Sequence, residues 1–497
     1  MSTIRKLASQ TAIYGLSSII GRFLNYLLVP LHTSATVFTL EQYGIITEMY
    51  AYVSVLVILL TYGMETAFFR FYSREELDKN KVYSTALWSV MITTASFIFL
   101  CYIFAQPIAN GLHYNNHKEY VIWFAIIVGL DAVSSVALAK LRALHKAVNF
   151  AFINLSNVAI NIGLNLFFLA YCMPMYKSGN INWLVETFYN PNIGVGYVFI
   201  ANLIASIVKF LLLIPYYFDL KFGINKSYLK QMLIYGLPLL FAGLAGIINE
   251  TLDRIMLKQM LIDDLGEVKT LELIGIYGAV YKISIIITLF IQAFRFAADP
   301  FFFAQEKEKN SKETYSKVMT YFVIVCAVIF LGVMLYIDVI KYFITNDAYW
   351  VGLHIVPYLL FANIFLGIYY NQSIWYKLSG QTMYAVYLAI FGAAITITLN
   401  IIWIPMINYT GSAYATFICY GSMMIVSYFL GQKYYPVPYK IGKIIFYLGS
   451  AWLCYYSSTF LPAMEFSVLF SIKTVIFLSY LFMIYLVERK SLKDAVN

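Results

Sequence analysis

Charge is what this sequence has least of. Asp, Glu, Lys and Arg make up 12% of its 497 residues, about half the share usual in a soluble domain. A water-exposed surface cannot be built from so few charged groups, which excludes a soluble globular protein. Cysteine is also sparse. Cys101, Cys172, Cys326, Cys419 and Cys454 are scattered through apolar segments, with no CxxC pair and no metal-ligand spacing. That excludes a disulfide or zinc framework and leaves them as small packing residues. The five histidines are equally dispersed and form no constellation. No Gly-rich phosphate loop occurs, which argues against an ATP-hydrolysing engine, and no interruption between apolar runs is long enough to fold by itself. Arg5 and Lys6 precede an apolar run without a small-residue cleavage site, so that run reads as a first spanning helix rather than a signal peptide.

What the chain has in abundance is apolar length. Hydrophobic residues make up 61%, and the mean hydropathy is +0.74. Runs of roughly 20 apolar residues, the length that crosses a bilayer, fall near 10–31, 44–64, 83–106, 120–140, 149–173, 194–218, 232–262, 273–293, 317–337, 354–376, 382–404, 409–431, 441–460 and 467–487. Fourteen all-α spans are therefore expected, with both termini cytoplasmic. Basic residues concentrate in cytoplasmic loops, and on this count 23 Lys and Arg fall inside against Lys118, Lys177, Lys269 and Lys341 outside. Losing one span would reverse every later loop. The net charge of +9 is thereby accounted for by cytoplasmic loops, without nucleic acid as a partner.

Two halves of the chain carry matching text. Tyr14-Gly15-Leu16 opens span 1 and Tyr235-Gly236-Leu237 opens span 7. Glu41-Gln42-Tyr43-Gly44-Ile45 enters span 2, and Glu272-Leu273-Ile274-Gly275-Ile276 enters span 8. Tyr50 and Tyr281 follow at the same distance past each glycine. The offset grows from 221 to 231 between matches, which places about ten extra residues in the second copy's first outside loop. Six spans separate the copies, so both run in the same direction. The expectation is a parallel repeat: lobes 1–218 and 232–432 around a central cavity, a basic cytoplasmic linker at 219–231, and two added helices with the C-terminus in 433–497.

Span 7 is the most polar of the set. Glu250, Arg254 and Lys258 recur at helical spacing on one face, with Asp253 beside them. An ionised side chain facing lipid costs about 3 kcal/mol or more near the bilayer centre, so these groups need partners or water. Arg22, Asp131, Lys209 and Lys282 lie equally deep in spans 1, 4, 6 and 8, and Glu48 lies near the outer end of span 2. Arg70 and Arg295 mark the cytoplasmic mouth, and Lys473 is placed to snorkel. Arg22, Lys209, Arg254, Lys258 and Lys282 are candidate contacts for an anionic substrate, since guanidinium forks and ammonium point charges both suit phosphate oxygens. Asp131, Glu250 and Asp253 are candidates for proton or sodium coupling, Asp131 first because no basic residue sits one turn away. The alternative, private pairing of each cation with a carboxylate, stays open at this level. Pro238, just before the charged face, is the helix breaker to associate with gating. The 44 tyrosines and 39 phenylalanines are explained by interfacial belts and helix packing.

The stretch YGLSSIIGRFLNYLLVPLHT followed by EQYG, the pattern GMETAFFRFYSRE from Gly63 to Glu75, and YGLPLLFAGLAGIINETLDRIMLKQML with IGIYGAVYKIS and a Phe294–Pro300 turn are familiar. Together they resemble polysaccharide and O-antigen-type flippases of the multidrug/oligosaccharidyl-lipid/polysaccharide exporter superfamily. The resemblance touches residues 5–75, 130–170 and 229–325. It implies two six-helix lobes, alternating access, and an undecaprenyl-diphosphate-linked oligosaccharide passed from the cytoplasmic to the periplasmic leaflet of the bacterial inner membrane. It also implies Arg22 and Arg254 as cavity contacts, membrane lipids and other polysaccharide-assembly proteins as partners, and no cofactor beyond a proton or sodium gradient. The first spans carry fewer arginines than the lipid II branch. The rivals are a cation-coupled multidrug exporter, which would want an acidic or apolar cavity, and a membrane glycosyltransferase or polymerase, which would want a large outside loop or an acidic motif. The topology is checked by reporter fusions: alkaline phosphatase joined within 263–272 is expected to be active, and joined within 294–316 inactive.

Overall fold

The computed structural model describes residues 3–218, 223–306 and 308–496, and these are mostly helical with no strand among them. The long helices are α1 (Thr3–Tyr26), α2 (Leu40–Thr61), α3 (Lys79–Ile103), α4 (Lys118–Ala143), α5 (Ala147–Asn165), α6 (Gly196–Leu213), α7 (Lys226–Leu265), α8 (Glu267–Gln305), α9 (Ser311–Leu335), α10 (Val356–Gln372), α11 (Met383–Tyr434), α12 (Ile441–Ser458) and α13 (Phe466–Val496). Among the described residues, eleven helical segments are long and apolar enough to cross a membrane. On α13 the side chains of Val475, Leu478, Phe482 and Tyr485 are each more than half exposed. That outward-facing apolar surface suits lipid and would be costly in water.

Local chemistry sets the helix starts. Thr39 caps α2 in a reciprocal box with Gln42: the Gln42 amide donates to Thr39 Oγ1 at 3.2 Å, and Gln42 Oε1 accepts from the Thr39 amide at 3.1 Å. Asp78 accepts from the amides of Asn80 and Lys81 at the start of α3, and Asn225 from that of Tyr228 at the start of α7. Each side chain satisfies donors that the first helical turn leaves orphaned. At the other end of α2, Tyr62 and Gly63 adopt left-handed conformations (φ 33° and 73°) before the short helix Met64–Tyr72.

Two expectations need correction. The extra residues of the second copy do not form a loop: α7 runs on to Leu265, and α8 starts after the single residue Gly266. Forty residues of helix span about 60 Å at 1.5 Å per residue, about twice the hydrocarbon thickness. The extra length is spent as helix because its side chains, apart from Gly266, suit that conformation. Next, no turn ends α8 at Phe294–Pro300. The helix continues through Pro300 to Gln305, since a lost i→i−4 bond is tolerated where neighbouring helices support the backbone. Spans 11 and 12 follow one another as α11, whose helix is broken between them at Ile407 (φ −138°) and Asn408 (φ 53°). Asn400 and Ser412 would lie about 18 Å apart in a straight helix, yet Ser412 Oγ donates to Asn400 Oδ1 at 2.8 Å. The chain therefore doubles back at Ile407–Asn408, between the two stretches expected there.

Contacts divide the chain into two compact units: Met1–Ala279 with Ala389–Ser412, and Val280–Leu388 with Ala413–Asn497. In the first unit, Leu60, Met64, Phe68 and Phe71 pack with Val82, Tyr83, Ala86, Val90, Val136 and Met232. In the second, Phe302, Tyr315, Ile374 and Val437 form one core cluster, with the Tyr315 hydroxyl donating to the Phe302 carbonyl at 2.9 Å.

Inside the first unit, the glycines matched by sequence meet. A Cβ on Gly44 would collide with the Leu271 carbonyl, and one on Gly275 with the Leu40 carbonyl. Leu40 and Leu271 stand four residues before their respective glycines, so the contact is reciprocal, as at a two-fold axis. α2 and α8 touch here backbone to backbone, the kind of approach that small residues permit between membrane helices. Gly63 makes a second such contact against Gly236. Gly44→Ala and Gly275→Ala are each expected to lower the thermal midpoint in detergent. The double variant should cost less than the two losses together, because either methyl alone already separates the helices.

Candidate functional site

Three ion pairs hold deep charges in the first unit. On α6, Asn202, Ser206 and Lys209 share one face by spacing. Lys209 Nζ donates to Asp131 Oδ1 of α4 at 2.6 Å, and Ser206 Oγ donates to the same oxygen at 3.0 Å. Asn202 Nδ2 donates to the Tyr50 hydroxyl of α2 at 3.1 Å. The isolation that made Asp131 the first coupling candidate holds along its own helix only; its cation arrives from α6.

The second pair joins α2 to α7. Lys258 Nζ donates to Glu48 Oε2 at 2.8 Å, and both side chains have no exposed surface. The ammonium also donates to the Leu112 carbonyl at 2.8 Å and lies 3.6 Å from the centre of the Tyr114 ring, whose hydroxyl donates to Glu48. Two charges at this burial persist only because carboxylate, carbonyl and ring face share the work of solvation.

The third pair lies within α7. Asp253 Oδ1 accepts from Arg254 Nη1 at 2.9 Å and from the Arg254 amide at 2.9 Å, while the Tyr277 hydroxyl of α8 donates to Asp253 Oδ2 at 2.5 Å. Arg254 also donates to the Glu250 carbonyl. An Arg254 pair with the Glu250 carboxylate, the simple i,i+4 reading, is not what forms. Glu250 is exposed. A buried ladder of amides and hydroxyls flanks the pair: Thr396 Oγ1 donates to Asn249 Oδ1 at 3.1 Å, Asn400 Nδ2 to the Thr396 carbonyl at 2.8 Å, and Ser412 closes it.

Of the five expected substrate cations, Lys209, Arg254 and Lys258 are thus neutralised by neighbours, so private pairing is the alternative realised for these three. Arg22 is exposed on α1, and Lys282 is half-buried on α8. At the expected mouth, the Arg70 guanidinium lies 4.2 Å from the Tyr235 ring centre, and that of Arg295 lies 4.2 Å from the Tyr370 ring. Lys473 Nζ sits 2.5 Å from Asp338 Oδ2. The sequence reading left Glu48, Tyr114, Tyr277, Asn249 and Asn400 out of the site. Their only sequence signal is a polar group inside an apolar run, and partners up to 210 residues apart have no local signature.

The fold of these long apolar helices, with paired charges in their interior, is shared with known structures. The fold is similar to that of the lipid II flippase MurJ in an inward closed conformation (TM-score 0.73, 16% identity, 96% of this chain and 99% of that one). It is also similar to an inward-facing multidrug resistance MATE family transporter of the MOP superfamily (0.62, 16%, 85% and 94%) and to the MATE multidrug transporter DinF-BH (0.62, 16%, 86% and 96%). The chain belongs to the polysaccharide biosynthesis protein family, whose sequence profile matches residues 7–305. No curated protein matches its sequence.

Lys258→Met would leave the Glu48 carboxylate buried without its counter-charge, at an expected cost of about 3–5 kcal/mol. Adding Glu48→Gln should recover most of that loss, read as thermal midpoints of the two variants in the same detergent.

Proposed function

We propose that this protein is a flippase that moves undecaprenyl-diphosphate-linked oligosaccharide from the cytoplasmic to the outer leaflet during surface-polysaccharide assembly, with no covalent step. The observation that carries the reading is the family match over 7–305, which includes both charged helices α7 and α8. The MurJ likeness over nearly the whole chain supports it. On this reading α11 crosses twice, which makes fourteen crossings with both termini cytoplasmic in the bacterial inner membrane. Lobes 1–218 and 232–432 alternate access around a cavity, and 433–497 is an addition. The linker 219–231 begins in residues outside those described. The reciprocal Gly44–Gly275 contact supports a two-fold relation between the copies.

Arg22, exposed on α1, meets the diphosphate first. Arg254, Lys258 and Lys209 engage it only as their pairs exchange partners. Among the carboxylates, Asp131 and Asp253 already hold cations, which leaves exposed Glu250 as the group open to a proton or sodium ion. The membrane potential acts directly on an anionic load at about 2.3 kcal/mol per charge per 100 mV. Other polysaccharide-assembly proteins are the expected partners.

The test uses purified protein in liposomes with a fluorescent undecaprenyl-diphosphate oligosaccharide. Flipping should require the protein, respond to an imposed potential, and fall in Arg22→Gln/Arg254→Gln. Intact flipping in the double variant would remove the cationic path. Elongation or transfer of the sugar would make the protein an enzyme, and export of cationic dyes without flipping would make it a drug exporter.

A further inference from the structure

Within the second unit, α10 carries Asn363, Gly367 and Asn371 at four-residue spacing, hence on one stripe. Asn363 Nδ2 donates to the Ser284 carbonyl of α8 at 3.2 Å. A Cβ on Gly367 would meet Ile291 of α8 at 3.0 Å and Phe322 of α9 at 2.6 Å. The stripe therefore packs on α8, and its next position, Asn371, falls level with the α8 turn that holds Arg295. Asn371 is 2% exposed, yet neither its Nδ2 nor its Oδ1 finds a partner among the described residues, and Gln372, 5% exposed, leaves Oε1 without one there. On the residue before these amides, Tyr370, the ring lies under the Arg295 guanidinium, and the hydroxyls of Tyr369 and Tyr376 bond to each other.

Buried amides without partners lower the stability of a fold, and leucine or methionine would fill the same space without that cost. Groups retained at a cost to folding are characteristic of binding sites. An amide offers a donor and an acceptor side by side, which suits neighbouring sugar hydroxyls that each donate and accept. Tyrosine rings offer an apolar face to the C–H side of a pyranose. A diphosphate alone would call for cations rather than amides.

We infer that the α10 turn at Asn371–Gln372, with Arg295 and Tyr370, binds a pyranose of the lipid-linked cargo. This deepens the flippase reading and rests on it. The site lies on the end of α10 followed by Lys377, which the basic-residue count assigns to the cytoplasm.

Asn371→Leu and Gln372→Met test it in the full-length protein. Each is expected to raise the thermal midpoint of the sugar-free protein while lowering flipping of the lipid-linked oligosaccharide about tenfold. Quenching of Trp375 fluorescence should show weaker binding of the glycosylated lipid and unchanged binding of undecaprenyl diphosphate without sugar. A lower midpoint would mean that the amides are structural and would overturn the site. So would unchanged flipping, or an equal loss of both lipids. If the folded wild-type protein neither binds nor flips either lipid, it is the flippase reading that falls.

Discussion

A lysine ammonium with no exposed surface keeps its charge only while a carboxylate stays in contact with it, and Lys258 meets that condition through Glu48. The pair fixes more than two side chains. Lipid tails are as apolar as leucine, so an apolar membrane helix gains little by choosing one rotation over another. A buried ion pair removes that freedom. Turning α7 by one residue would strand both charges, and the penalty for stranding exceeds what a typical packing contact contributes. Asp131–Lys209 acts likewise between α4 and α6. The polar residues of the first unit thus orient helices that apolar packing leaves free to rotate.

With orientation set, close approach becomes possible. Gly44 and Gly275 face each other because α2 and α8 present the same edge, and the absence of side chains lets carbonyl oxygens reach the opposing backbone. The amide ladder from Asn249 through Thr396 and Asn400 to Ser412 does comparable work between α7 and the two limbs of α11. Each rung satisfies a polar group that lipid could not.

Segment positions were legible in the sequence because apolar length and basic loops are local properties, summed over some twenty residues at a time. The repeat was legible for the same reason: Tyr-Gly-Leu and the Gly44 and Gly275 motifs are short strings. Two boundaries were misread where helix and loop share a composition. The residues before Gly266 and those around Pro300 are polar enough to read as connections, and their helicity depends on neighbours. Pair identity was not legible. Glu48 gave no sign of Lys258, nor Asp131 of Lys209, because contact between distant segments is a property of the fold and not of any window of sequence. The deep charges were found; their partners could not be.

The glycine contact has a consequence for how this chain can change. Leu40 opposes Gly275 and Leu271 opposes Gly44, so neither half can acquire a larger residue there unless the other half moves away. Where the halves do not touch they are free to diverge, and their matching text is confined to short strings. At this crossing each half is the other's selective environment, and whatever drift occurs must occur in both at once.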